Sequence, residues 1–242
     1  MFTTVPFIIA LFLVPSADPP EIRILETGMY HGDEVTIPTS LPWFGLFEAA
    51  GRFELRPVEL HVATVNDPIV DGENEATGKE VSVSDNESPI VLVQGIGAAK
   101  PGPVPTAYHG NQFLSLGDSV PLQLRTQPAV GRPAPELWHL GAVGTAADLD
   151  QTIAVQNYTL KLFRNLWSPE NQRQTLATFD EVSVDGAPRL LWAGDLDNDR
   201  KIDLLLDLTD HYNVRHLALF LSTHAKEGQL VGLAAELRTT GC

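Results

Sequence analysis

The chain contains very few cysteines and basic residues. Its one cysteine, Cys242, is the last of 242 residues. No disulfide can therefore form within the chain, and Cys242 is either a tail residue or a thiol for an intermolecular bridge. Only 16 Lys and Arg residues oppose 31 Asp and Glu residues, which gives a formal net charge of −15. Because Lys and Arg clusters are missing, the composition excludes a surface for nucleic-acid backbones or anionic lipid.

Short motifs of common enzyme classes are also missing. The sequence has no G-x-S-x-G, H-E-x-x-H or C-x-x-C, and its seven histidines are scattered. One polar cluster, residues 210–213, contains His211 shortly after an acidic stretch, and a histidine beside a bound cation can act as a general base. Because no nucleophile or paired acid accompanies it, a polar turn is the favoured interpretation. A calcium-dependent hydrolase around His211 is the alternative.

The N-terminus carries an apolar segment, residues 5–14, that is too short to cross a bilayer. Small residues follow and end at Ala17, so residues 1–17 are predicted to be a secretory signal peptide. No second apolar segment is long enough to span a membrane. The sequence therefore predicts a secreted or periplasmic protein.

Turn-forming residues are abundant, with 18 Pro and 19 Gly, and hydrophobic residues make up 43%, enough for a core. Apolar residues alternate with polar ones in many segments, as they do in half-buried strands. This pattern predicts a mostly β fold of antiparallel sheets, as a sandwich or meander, with little helix. The length fits one large β domain or two small ones. A Pro- and Gly-rich stretch, residues 127–135, would separate an N-terminal β region (18–128) from a C-terminal β region (129–242).

Near the C-terminus, four hydrophobic segments are joined by short connections. We expect them to form an antiparallel meander. The segments are residues 189–193, 202–208, 217–222 and 229–237.

The connection between the first two segments, residues 195–203, has the sequence D-L-D-N-D-R-K-I-D. Aspartates stand at its first, third, fifth and ninth positions, and the seventh can offer a backbone carbonyl. Ca²⁺ binds roughly six to eight oxygen atoms, and a short loop can supply them at such alternate positions. A solvated turn is the alternative, but the regular spacing favours a Ca²⁺ site. The predicted ligands are Asp195, Asp197, Asp199, Lys201 (through its carbonyl) and Asp203.

The same stretch, together with Gly194 before it and the hydrophobic strand after it, resembles the DxDxDG calcium loops of FG-GAP and VCBS-type repeats in extracellular proteins. That resemblance implies calcium ligands at the same five positions. The sequence differs at Arg200, where the family prefers Gly, and a left-handed backbone there would cost Arg about 1–2 kcal/mol. The C-terminal third also resembles uncharacterised secreted bacterial proteins, and that resemblance brings no known activity with it.

Two further stretches are considered for binding. Residues 41–47 are the most aromatic part of the chain, and Trp43 is predicted to be a core residue. If Trp43 and Phe44 were exposed, they could stack on a sugar ring, and the protein would be a glycan-binding module. The acidic stretch 66–87 is predicted to be a solvated loop, with Asp67, Asp71 and Glu73 as an alternative weak cation site. The function expected first is a secreted, non-enzymatic calcium-binding protein with a structural or binding role and a protein or glycan partner.

Overall fold

The computed structural model describes residues 20–32, 34–37, 41–85, 87–97, 99–124, 136–149, 152–165, 171–183, 186–209 and 213–240. Strand accounts for 59% of the structure and helix for 2%, which confirms the prediction of a mostly β fold built from antiparallel sheets. The predicted signal peptide, the stretch 127–135, His211 and Cys242 lie outside the described residues.

The strands of the described residues form four antiparallel sheets and are numbered here in chain order. The N-terminal sheet has the order β1 (Arg23–Leu25), β7 (Val91–Gln94), β3 (Trp43–Ala49), β4 (Arg52–Val58) and β8 (Gly102–Pro103). The small sheet has the order β2 (Gly28–Tyr30), β6 (Gly78–Val83) and β5 (Leu60–Val65). The central sheet has the order β17 (Gly232–Thr240), β16 (Val214–Leu221), β15 (Asp203–Asp207), β14 (Arg189–Gly194) and β9 (Thr106–Phe113). The outer sheet has the order β10 (Ser119–Leu122), β11 (Trp138–Leu149), β12 (Thr152–Arg164) and β13 (Gln172–Ser183).

The central sheet is buried on both faces. On one face Leu205 packs in a core shared with Leu46 and Leu92 of the N-terminal sheet. On the other face Leu204 and Leu206 pack in a core shared with the outer sheet. Successive side chains of a strand point to opposite faces, so the run of three leucines in β15 fills both cores. The central sheet is therefore the middle layer of the fold.

The predicted C-terminal meander is confirmed by strands β14, β15, β16 and β17, which pair in that order. Strand β9 adds a fifth strand beside β14, with Thr106 opposite Gly194. Strands β9 and β10 lie before residue 128, yet they pair with β14 and β11 beyond residue 129. Hydrogen bonding thus connects the two predicted regions within the same sheets.

Candidate metal centre

The loop between β14 and β15 brings three aspartates together. Asp195, Asp197 and Asp203 are 4%, 2% and 0% exposed. Each offers a carboxylate oxygen, and these oxygens lie within 4.8 Å of one another. Buried charges of one sign at this separation repel strongly. The group could therefore hold a metal ion.

The first end of the loop is fixed to strand β9. The backbone N–H of Asp195 donates to the carbonyl oxygen of Pro105 over 2.8 Å. The indole of Trp192 donates from Nε1 to the hydroxyl of Thr106 over 3.1 Å. Two bonds, one to the first residue of β9 and one to the residue before it, thus fix the position of Asp195 directly after the end of β14.

Within the loop, backbone N–H groups point at the carboxylates. Leu196 donates to Asp203 Oδ2 over 2.7 Å, and Arg200 donates to Asp195 Oδ2 over 3.0 Å. Asn198 and Arg200 have φ angles of 67° and 70°. The left-handed backbone expected at Arg200 is therefore confirmed, and it costs a non-glycine residue about 1–2 kcal/mol. The positive φ angles allow backbone N–H groups of the loop to reach its carboxylates, and they leave this local strain in the backbone.

A second segment, the 3₁₀ turn Ser222–His224 between β16 and β17, covers the loop. The backbone N–H of Ser222 donates to Asp203 Oδ1 over 2.8 Å, and its hydroxyl donates to Asp199 Oδ2 over 2.6 Å. The hydroxyl of Thr223 donates to Asp197 Oδ2. Sequence analysis missed this turn. The topology of the predicted meander could have indicated this turn, because the first and third connections of a meander lie at the same end of the sheet.

Electrostatics in the group are unfavourable without a cation. Burial raises the pKa of Asp195 and of Asp197 above the ordinary value. Burial, followed by repulsion from Asp197, raises the pKa of Asp203 well above it. One oxygen, Oδ1 of Asp195, is buried without a hydrogen-bond partner among the described residues. A buried acceptor without a partner is rare and costly, so these carboxylate oxygens fit a bound cation.

The two other predicted ligands occupy different positions. Asp199 is not part of the group of three. It accepts hydrogen bonds from the Ser222 hydroxyl and, at 2.8 Å, from the backbone N–H of Lys201. Lys201 is exposed, with its ammonium 3.5 Å from Asp199 Oδ2. Three of the five predicted ligands are therefore brought together as side chains, and Asp199 stands beside them on the side of the 3₁₀ turn.

The other predicted sites have separate outcomes. Trp43 is 6% exposed and belongs to a core, as predicted, so its ring offers no face for a sugar, and Phe44 packs partly buried against the same core. Asp67 is 3% exposed and accepts a hydrogen bond from His31, and residues 78–83 form strand β6 with Val81 buried, so the prediction of a solvated loop is wrong at these positions. The carboxylate of Asp71 accepts hydrogen bonds from the backbone N–H of Thr77 at 2.7 Å and from its hydroxyl at 2.6 Å. Glu73 is exposed. The described residues hold no second group of acids with the geometry of a metal site.

Comparison of the chain with protein-family models, curated proteins and solved structures gave no match. The resemblance to FG-GAP and VCBS-type repeats therefore depends on the loop residues alone. Among the described residues, no helix is long and apolar enough to cross a membrane.

Proposed function

We propose that the protein is a secreted or periplasmic, non-enzymatic calcium-binding β protein in which one Ca²⁺ fixes the loop 195–203. The observation that carries the proposal is the buried Oδ1 of Asp195, which has no hydrogen-bond partner in the described part of the chain and belongs to a group of three buried carboxylates. Leaving such an acceptor without a partner costs about 1–3 kcal/mol. A cation in the group supplies the partner and offsets the repulsion between the carboxylates.

The ligand chemistry favours calcium over the common alternatives. All three grouped side chains are carboxylates, whereas zinc sites in proteins use mainly Cys and His. Mg²⁺ demands nearly ideal octahedral geometry and dehydrates reluctantly, while Ca²⁺ tolerates irregular shells of roughly six to eight oxygens. We propose two further calcium ligands, a carboxylate oxygen of Asp199 and the backbone carbonyl of Lys201. Both residues follow the same alternate spacing along the loop.

In this proposal the ion has a structural role. Asp197 and Asp203 belong to the grouped acids and also accept hydrogen bonds from Thr223 and Ser222. An ion held by these acids therefore ties the loop to the β16–β17 turn across the end of the central sheet. The hydroxyls of Ser222 and Thr223 are both engaged as donors to aspartates, which suits a supporting rather than a nucleophilic role.

Metal analysis and calorimetry of the purified protein test the calcium assignment. We expect one Ca²⁺ per chain, a measurable heat on adding Ca²⁺ to chelator-treated protein, and a much weaker response to Mg²⁺. Binding to the folded state alone stabilises it by about 2.7 kcal/mol when the free ion is at 100 Kd. If chelator leaves the melting temperature unchanged and no calcium heat is seen, the aspartates are a buried turn without an ion.

Export is tested separately. We expect protein recovered outside the cytoplasm to begin near Asp18, because residues 1–17 have the layout of a signal peptide. Mass spectrometry of the exported chain measures its first residue. An exported chain that retains Met1 would contradict cleavage after Ala17 while leaving the calcium assignment untouched.

A further inference from the structure

We propose that strand β5 binds an extended peptide, which pairs with it as an added antiparallel strand and carries basic residues on its solvent face. Strand β5 lies at one edge of the small sheet and pairs with β6. An edge strand presents backbone N–H and C=O groups that another chain can pair with. The loop of the metal centre belongs to a different sheet, so this proposal and the calcium assignment can fail separately.

The other edge strands of the described residues carry features that discourage further pairing. Strands β1, β13 and β17 contain charged residues, β8 and β10 contain a proline, β9 has register shifts against β14, and β2 has only three residues. Each of these features protects an edge. Strand β5 has the sequence L-H-V-A-T-V, without Asp, Glu, Lys, Arg or Pro, and it pairs with β6 without a register shift. Among the described edges, β5 is therefore the one open to a partner strand.

The pairing with β6 identifies the backbone groups that point to the open edge. The N–H of Ser84 donates to the carbonyl of Glu59 over 3.3 Å, one position before the paired strands. Hydrogen-bonded residues alternate along an antiparallel pair, so Glu59 and every second residue after it bond toward β6. Leu60, Val62 and Thr64 therefore direct their N–H and C=O groups away from β6. Among the described residues, no loop hydrogen bond uses these groups.

An apolar cavity of about 520 Å³ lies on one face of β5. Leu60 and Val62 line it from β5, and Leu41 and Trp43 also line it. Val62 and Leu41 remain 45% and 37% exposed. Residues directly opposite each other on paired strands share a face, so every second side chain of an added strand points to the side of Leu60 and Val62. The cavity thus favours a peptide with an apolar residue at every second position.

The other face of β5 is acidic. Glu59 has the same alternation as Ala63, and Glu80 of β6 is the partner of Ala63. Both glutamates are exposed, and among the described residues neither side chain has an ion-pair partner. Lys79 lines the cavity instead, with its ammonium 2.8 Å from the carbonyl oxygen of Val35. Because opposite charges on neighbouring strands attract, this face favours lysine or arginine at the remaining positions of the peptide.

A second copy of the chain fits the open edge less well. Each chain has a formal net charge of −15, and a second β5 would bring its own Glu59 and Glu80 to the same face. Like charges then oppose the pairing. A basic peptide supplies the same backbone groups and the complementary charge.

Synthetic octapeptides test the proposal with the full chain. The first probe alternates valine and lysine, is capped at both ends and carries a fluorescent label, and its binding is titrated by anisotropy. We expect saturable binding that is roughly tenfold tighter than that of an isomer with its valines and lysines in separate blocks. An octapeptide of alternating valine and glutamate should bind more weakly still. No saturable binding of the first probe, or equal binding of the block isomer, overturns the proposal.

Methylation of the peptide nitrogens tests strand pairing directly. In an antiparallel pair, the valines that share a face with Leu60 and Val62 also exchange hydrogen bonds with them. Methyl groups on the valine nitrogens should therefore abolish binding, whereas methyl groups on the lysine nitrogens, which point to solvent, should be tolerated. Binding that withstands both methylations would be electrostatic attraction to an acidic protein and would overturn strand addition. This test uses the unaltered protein.

A variant of the chain locates the site. Val62→Lys places a charge at the cavity and should weaken binding of the valine–lysine octapeptide roughly tenfold or more, because apolar side chains no longer insert there. Val143→Lys is the matched control, since Val143 is 42% exposed on the outer sheet and the added charge is the same. Melting temperatures show that both variants are folded, and equal weakening by the two overturns the site. Sedimentation of the full chain covers the alternative, because a dimer that Val62→Lys disperses would show that β5 pairs with itself and would also overturn the proposal.

Discussion

Trp192 covers Gly194, the residue two positions further along β14. A Cβ at residue 194 would lie 2.7 Å from Cη2 of the indole and 2.5 Å from the carbonyl oxygen of Pro105. That carbonyl is the acceptor for Asp195, the first predicted ligand. Glycine at residue 194 therefore lets the indole and strand β9 approach closely enough to fix the start of the metal loop.

Gly194→Ala should consequently destabilise the protein and weaken calcium binding together. The added methyl must displace Trp192 or break the bond between Asp195 and Pro105, and overpacking of this kind costs about 1–3 kcal/mol. Thermal melts with calcium and with chelator measure both effects. Gly97→Ala is the control, because a Cβ at residue 97 would meet no atom of the described residues within 4 Å. If the two variants melted alike, the close approach at Gly194 would not matter for the loop.

Asp197→Asn tests the charge of the grouped acids while keeping their shape. We expect the variant to lose most of its stabilisation by calcium, because one anionic ligand becomes neutral. In chelator it should melt at or above the wild-type temperature, since a repelling buried charge has been removed. Glu73→Gln removes one charge from an exposed position and should change neither result. Calcium Kd values from calorimetry and thermal melts in calcium and in chelator measure both effects. Unchanged calcium affinity in Asp197→Asn would rule out this carboxylate as a ligand.

Local patterns predicted much of this architecture. Hydrophobic segments with short connections indicated the meander, and alternate aspartates indicated the loop between its first strands, because both signals are contained in neighbouring residues. Strand β9 could not be predicted to pair with β14, since Thr106 and Gly194 are far apart in sequence and their pairing leaves no local pattern. The donors Ser222 and Thr223 were missed for the same reason.

Asp67 shows a second limit of sequence interpretation. The stretch around it has many acids and is predicted to be solvated, yet the Asp67 side chain is buried. Its carboxylate accepts hydrogen bonds from His31, which is 36 residues earlier, and from the backbone N–H of Ile69. A charged residue's exposure depends on a partner brought by the fold, and composition alone does not reveal that partner.

Arg200→Gly should tighten calcium binding and raise the melting temperature in calcium. Arg200 has a φ of 70°, which glycine adopts without the cost of about 1–2 kcal/mol that a side chain incurs. The exchange also removes a cation next to the site. Arg200→Ala separates the two causes, because it removes the charge but keeps a Cβ in the left-handed conformation. A calcium Kd for Arg200→Gly no tighter than wild type would show that neither strain nor charge at this residue limits affinity.

The pair of His31 and Asp67 should make stability depend on pH. The hydrogen bond to Asp67 raises the pKa of His31 above its ordinary 6.5. The same bond lowers the pKa of Asp67 below its ordinary 3.8. A raised histidine pKa stabilises the fold fully below 6.5 and loses this effect as pH rises through the folded value. A lowered aspartate pKa stabilises it fully above 3.8 and loses this effect as pH falls through the folded value.

His31→Gln should therefore reduce the melting temperature most between pH 3.8 and 6.5, the window in which both contributions are present. The difference from wild type should shrink toward alkaline pH, because His31 then loses its proton in the folded protein as well. Glu34 also faces His31, with its carboxylate 3.0 Å from the His31 backbone N–H, so Glu34→Gln is measured in parallel to isolate the imidazole. His61→Gln, at an exposed histidine bonded to Ser84, controls for the loss of a histidine elsewhere. Melts across this pH range give the answer, and a pH-independent difference between wild type and His31→Gln would mean that the pair does not act as an ion pair.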